Sequence, residues 1–146
     1  MKEIKANFWD VYLDYDVICV TTNGVTKLDG SLVMGAGIAL DFKLRFQGLD
    51  KILGKLVKEK GNKVHLINFS DQLKIASFPT KYNYASKSSL YLIENSCTQI
   101  LDILKDKDIR ILLPRPGCQN GGLNWEFDVQ PLLKLYLDDR FYIISK

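Results

Sequence analysis

Residues Ile109-Arg110-Ile111-Leu112-Leu113-Pro114-Arg115-Pro116-Gly117-Cys118-Gln119-Asn120-Gly121-Gly122-Leu123-Asn124-Trp125-Glu126 set the frame for the whole chain. The first five are almost continuously apolar, as strands covered on both faces tend to be. Two prolines and three glycines then break any regular structure. Beyond Glu126, residues Val129, Leu132, Leu133, Tyr136 and Leu137 fall on one side of a helix over Phe127–Leu137, with Pro131 near its start, where a missing N–H does least harm. The stretch therefore predicts a buried strand, a glycine loop and a helix in succession.

The same grammar repeats upstream. A strand over Asp16–Thr21 leads into Thr22-Asn23-Gly24, and Met34-Gly35-Ala36-Gly37-Ile38-Ala39 opens the next segment. Leu40, Phe42, Leu44 and Phe46 alternate like a strand, whereas Ile38, Phe42, Phe46 and Leu49 fit helical spacing. The Gly-Ala-Gly turn favours helix. A second short helix over Leu49–Lys60 stops at Gly61-Asn62, as a C-cap would. Further strands are expected at Lys63–Ile67, Lys74–Phe78, Ile109–Leu113 and Phe141–Ser145, with a short one near Lys2–Lys5. The clearest helix spans Ser89–Lys105, with Leu90, Ile93, Cys97, Ile100, Leu101 and Leu104 in one stripe and Ser86, Ser88 and Ser89 as N-cap candidates. Strands alternating with helices over one repeat-free stretch of 1–146 imply a single α/β domain.

Composition narrows the class further. The chain has 146 residues, 47% of them hydrophobic and 25% charged, enough to bury a core. Its net charge of +3 is too mild to specify a nucleic-acid or membrane partner by field alone. No run reaches the roughly 18–20 apolar residues of a membrane helix, and Met1-Lys2-Glu3-Ile4-Lys5 lacks a signal peptide's apolar core. Cys19, Cys97 and Cys118 fit neither a disulfide framework nor a zinc pattern, so reduced thiols in a cytoplasmic protein are expected. His65 is the only histidine, and it sits in the apolar run Val64–Ile67 as a core or edge residue. No metal site and no cofactor are expected.

Both glycine loops stand at the carboxyl ends of strands, where open α/β sheets bind ligands. Glycines let the backbone approach an anion, and a helix N-terminus adds partial positive charge. Two such loops facing each other can cradle a diphosphate without a lysine or a metal. The usual nucleotide motifs are absent. No Gly-Lys-Ser/Thr occurs, and Gly35-Ala36-Gly37-Ile38-Ala39-Leu40 lacks the third glycine of a dinucleotide fingerprint and begins about a dozen residues past its strand. The intervening Gly24–Leu32 is polar and reads as a mobile lid.

Met34–Ala39, then Phe78-Pro79-Thr80-Lys81, then Pro114–Glu126 together resemble the macro domain family in order and separation, across essentially the whole chain. The subgroup most resembled is that of the terminal ADP-ribose protein glycohydrolases and the antitoxin macro domains that reverse DNA ADP-ribosylation. The resemblance implies a three-layer α/β/α sandwich with a mixed central sheet. It implies ADP-ribose, or an ADP-ribosylated macromolecule including nucleic acid, as the partner of a monomer with no membrane contact. Gly35, Ala36, Gly37 and Ile38 would line the diphosphate from one side, and Pro116, Gly117, Cys118, Gln119, Asn120 and Gly121 from the other. Asn7 and Phe8 fall at the adenine end, with asparagine where the family has an acid. Asn23 falls near the distal ribose, and Lys81 matches a catalytic lysine of the glycohydrolase-like subgroup.

The activity so implied is metal-independent hydrolysis that removes ADP-ribose, or a group on its distal ribose, from a substrate. Alternatives within the resemblance are an ADP-ribose 1″-phosphate phosphatase, a reader, and a sequesterer of ADP-ribose or a related adenosine nucleotide. One departure bears on mechanism: no acid lies between Arg115 and Asn124, where the protein glycohydrolases carry an aspartate, so the loop sides with the antitoxin-like members. Asp29 is either a carboxylate supplied from the lid or a turn former. Trp125 is expected in the core, Trp9 either there or against adenine, and Arg115 on a phosphate or on strand-end carbonyls.

Overall fold

The computed structural model describes residues 1–146. Its centre is a six-stranded sheet in the order β1-β6-β5-β2-β4-β3, with β1 Lys2–Lys5, β2 Val17–Thr22, β3 Leu66–Ser70, β4 Leu73–Pro79, β5 Ile111–Pro114 and β6 Phe141–Ser145. Five strands run parallel, and only the edge strand β3 is antiparallel, pairing with β4. Side chains alternate between two cores with the two-residue period of a strand. Val17, Cys19, Ile111 and Leu113 face one core; Ile18, Val20 and Leu112 face the other.

Helices cover both faces, which gives the expected three layers. Helix α1 (Phe8–Val11), a 3₁₀ turn at Tyr12–Asp14, α2 (Gly37–Arg45) and α3 (Leu49–Lys60) lie over one face, where Phe42, Leu49 and Leu53 are fully buried. Helices α4 (Leu90–Ile103) and α5 (Gln130–Tyr136) lie over the other, burying Ile93, Cys97, Ile100 and Leu133. Ser89 caps α4 by accepting from the Leu92 N–H. Leu90, expected in the stripe, is instead 39% exposed, while Leu92 and Ile93 of the same turn are buried.

Several boundaries differ from the pattern, each because side chains claim backbone groups. Strand β3 starts at Leu66 rather than Lys63, since the N–H groups of Val64 and His65 donate to Gln99 Oε1 and Ser77 Oγ. Strand β5 starts at Ile111 rather than Ile109, since the Arg110 N–H donates to Asp16 Oδ2. The final helix begins as a π turn, Trp125–Val129, capped by Asn124 Oδ1 accepting from Phe127 N–H. It tightens to an α-helix only at Gln130, with Pro131 in its first turn.

The chain crosses from one face of the sheet to the other between β2 and β5. Strand β2 leads to α2 on one face, whereas β4 leads through α4 on the opposite face to β5, which pairs with the other side of β2. Parallel register places Thr22 beside Pro79, Pro114 beside Ile144, and Lys5 beside Ser145. The carboxyl ends of five strands therefore line one rim, with a crevice where the topology switches.

Candidate ligand cleft at the topological switch

A cleft of about 850 Å³ occupies that rim, a size typical of small-molecule sites. Both glycine loops line it. Opposition of the loops is direct, since a Cβ built on Gly37 would sit 2.9 Å from Asn120 Nδ2. The sequence kept these residues 83 positions apart; the crossover brings them together.

Each loop presents free N–H donors. Helix α2 starts at Gly37 behind Ala36, which offers no capping side chain. The N–H groups of Gly37, Ile38 and Ala39 accordingly lack intrahelical acceptors. Gly37 holds φ at +58°, a left-handed conformation that turns the chain into the helix. Across the cleft, the N–H groups of Gly117 to Gly121 donate to no backbone acceptor, while Leu123 N–H closes the loop on the Gly117 carbonyl at 2.9 Å. Gly121 has no room for a side chain, because a Cβ would collide with Ser88 Oγ and the Gly117 carbonyl carbon. Successive free amides of this kind form an anion-binding concavity.

Of the residues expected at the site, Phe8, Asn23, Gly35, Ala36, Gly37, Ile38, Lys81, Gly117, Cys118, Gln119, Asn120 and Gly121 all line the cleft. Two do not. Asn7 caps α1, its Oδ1 accepting from the Trp9 N–H at 3.0 Å, and Pro116 is buried beneath the loop, where its carbonyl accepts from Cys118 Sγ. Phe8 forms an apolar end wall with Ala6 and Ile144.

Asn23 is 8% exposed and braces the neighbouring segment. Its Nδ2 donates to the Val33 carbonyl at 2.9 Å and its Oδ1 accepts from Val25 N–H at 2.8 Å. One N–H and one lone pair of the amide remain for a ligand. Lys81 extends over the second loop, its Nζ donating to the carbonyls of Asn120 (3.2 Å) and Tyr84 (3.4 Å). Cys118 lines the cleft, yet burial pushes its thiol up to about 11, so it is protonated and not nucleophilic at neutral pH.

One expectation is corrected, and two open alternatives are decided. The segment 24–32 is a pinned loop rather than a mobile lid: Leu32 and Ser31 are buried, Leu32 N–H donates to the Asp50 carbonyl, and Thr26 bridges Leu32. Gly54 of α3 packs so tightly on it that a Cβ there would collide with the Gly30 carbonyl oxygen. Asp29 is a turn former, accepting from Ser31 N–H and Oγ, which hold its carboxyl below the usual range, and it lies outside the cleft. Trp9 packs among Phe8, Tyr12, Phe42 and Phe46 under the Arg45 guanidinium and does not reach the cleft.

Trp125 and Arg115 do more than the sequence suggested. Trp125 is buried in the core as expected and also lines the cleft, its Nε1 donating to Glu3 Oε1 at 3.1 Å. Arg115 lies over the Trp125 ring, 4.7 Å from its centroid, and pairs with Glu3 at 3.7 Å rather than capping carbonyls. Sequence reasoning missed Thr80, Ser88, Asp41, Ser145 and Lys146 in the lining. Ser88 Oγ is buried without a hydrogen-bond partner beside Gly121. Their side chains carried no ligand signal in the sequence: Ser145 and Lys146 reach the rim at the end of β6, Thr80 just past β4, Asp41 on α2 and Ser88 in the loop before α4. No group of three or more His, Cys, Asp or Glu is placed to hold a metal ion, and no helix is long and apolar enough to cross a membrane.

Comparison with known proteins bears on the fold and the family. No family model matches the chain. The DNA ADP-ribosyl glycohydrolase of Mycobacterium tuberculosis is 30% identical over 112 aligned positions, covering 71% of this chain and 32% of that protein. The chain thus spans about a third of the length of the curated relatives it matches. Among solved structures, the macrodomain of Mycobacterium tuberculosis DarG superposes with a TM-score of 0.74 at 28% identity, covering 91% of this chain and 90% of that one. Thermosipho africanus DarTG in complex with ADP-ribose gives 0.75 at 26% identity, over 89% of this chain and 38% of that one. The macrodomain of Thermus aquaticus DarG, at 22% identity, shares the fold with a TM-score of 0.79 over 99% of this chain and 97% of that one.

Proposed function

This chain belongs to the macrodomain family, and we propose that it binds ADP-ribose in the cleft and hydrolyses the bond joining ADP-ribose to modified DNA. The observation that carries the reading is the opposition of Gly37 and Asn120, which sets two rows of free amides on either side of one gap. A diphosphate in that gap accepts hydrogen bonds from both rows, with the α2 N-terminus adding favourable charge. The apolar wall of Phe8, Ala6 and Ile144 then receives the adenine, and the distal ribose points toward Asn23 and Lys81.

Lys81 is the candidate nucleophile. In this scheme its amine attacks the anomeric carbon of the distal ribose and the bond to the DNA group breaks. The departing group takes a proton, and water then releases ADP-ribose and regenerates the amine. Asn23 orients the ribose through its remaining N–H. DNA is favoured as the modified partner because the glycohydrolase that matches this chain is named for DNA, and because the second loop has no acid between Arg115 and Asn124. The test offers ADP-ribosylated single-stranded DNA, ADP-ribosylated protein and ADP-ribose 1″-phosphate in parallel. Release of free ADP-ribose from DNA is expected. Consumption of none of the three, with ADP-ribose still bound, would make the protein a reader.

A further inference from the structure

We propose that the loop Lys81–Lys87, at the mouth of the cleft, is a stacking platform for single-stranded DNA, holding the bases that flank the modified one; this rests on the functional reading above. The fifteen residues Pro79–Ile93 contain Tyr82, Tyr84 and Tyr91 with Lys81 and Lys87, and no acid. All three tyrosines are exposed, at 56%, 55% and 64%. The other four tyrosines of the chain are engaged. Tyr12 packs on Trp9 and Phe46, Tyr15 on Tyr142, Tyr136 donates to Glu94, and Tyr142 lies under Arg110. Tyr82, Tyr84 and Tyr91 take part in no aromatic or cation–π pair and belong to neither core.

The backbone under these rings is fixed. Asn83 Oδ1 accepts from Ala85 N–H, the Asn83 carbonyl accepts from Ser86, and the Tyr82 carbonyl accepts from Gly24 N–H. The rings of Tyr82 and Tyr84 are therefore carried on an ordered turn, and that of Tyr91 on the first turn of α4. Tyr84 lines the cleft itself, and the methylenes of Lys87 lie over Gly122 of the second glycine loop. Neither lysine has a carboxylate partner. Exposed aromatic faces beside an unpaired cation match a nucleic-acid strand, whose bases stack while a phosphate meets Lys87, Lys81 being held by the Asn120 and Tyr84 carbonyls. A duplex does not fit, because its bases already stack on one another and cannot lie on the rings.

Fluorescence anisotropy with a ten-nucleotide unmodified single strand, in saturating ADP-ribose, tests the assignment. The strand is expected to bind, and Tyr82→Ala to weaken it at least about fivefold. Lys87→Gln is expected to flatten the plot of log affinity against log salt by about 0.7, the loss of one single-strand phosphate contact. Both variants should bind ADP-ribose as the wild type does by calorimetry. The platform is refuted by wild-type affinity and slope in both variants, by a duplex binding as tightly as the strand, or by an acidic peptide displacing the strand with the same Tyr82 dependence. A wild-type protein that ignores ADP-ribose yet holds the strand would sink the functional reading instead.

Discussion

Replacing Gly37 by valine perturbs fold and site by separable amounts. At φ +58° a side chain carries the left-handed penalty, about 1–2 kcal/mol. For a chain of this size each kcal/mol moves the melting temperature roughly 2–4 °C, so a drop of about 2–8 °C is expected and the protein stays folded. The effect on binding is larger. The new Cβ stands 2.9 Å from Asn120 Nδ2. That amide can swing aside, but valine's two methyl groups then occupy the space between the two rows of N–H donors. Calorimetry on the wild type should give micromolar affinity for ADP-ribose, about −7 to −9 kcal/mol. Gly37→Val should show no heat at millimolar ligand, a loss of about 4 kcal/mol or more. Circular dichroism confirms the fold in parallel. A folded variant that keeps its affinity within about threefold would refute the cradle, since the diphosphate would then lie elsewhere.

Lys81→Ala should lower kcat by about a hundredfold or more while leaving ADP-ribose affinity within about threefold, since its Nζ touches only loop carbonyls; equal turnover would reduce Lys81 to a loop brace. Gly54→Ala, whose Cβ would stand 2.6 Å from Leu32 N, should destabilise by roughly 1–3 kcal/mol, read as a lowered urea midpoint. An unchanged midpoint would show that the 24–32 segment is not pinned on α3. Cys118, pushed up to about 11, should be alkylated about tenfold faster per pH unit between 7 and 10, with no plateau near 9. Burial also raises Cys97, to about 12. Its unfolded form therefore loses its proton first, and the contribution to stability is whole below pH about 9 and falls as pH rises toward 12. Denaturation midpoints across pH 8–11 check the sign by comparison with Cys97→Ala.

The strands and long helices were readable because apolar periodicity is local. The run Ile111–Leu113 and the stripe Ile93, Cys97, Ile100, Leu104 announce themselves whatever surrounds them. Helix α1 was missed because a single turn capped by Asn7 is too short to show a period, and the same cap withdrew Asn7 from the cleft. The segment 24–32 looked mobile because its polarity was visible and its anchors were not. Asp50 and Gly54 lie on a different helix, some twenty residues onward.

The chain alone fixed the order of the strands and longer helices, both glycine turns and the resemblance that ties them to one ligand, since each is carried by neighbours in sequence. Only the tertiary structure decided that Gly37 and Asn120 confront each other, that Ser88, Thr80 and Lys146 share their rim, and that Tyr82 and Tyr84 stand unpaired beside Lys81. The physical reason is the parallel sheet. Its register gathers strand ends from distant parts of the chain along one edge, and its crossover opens the gap between them.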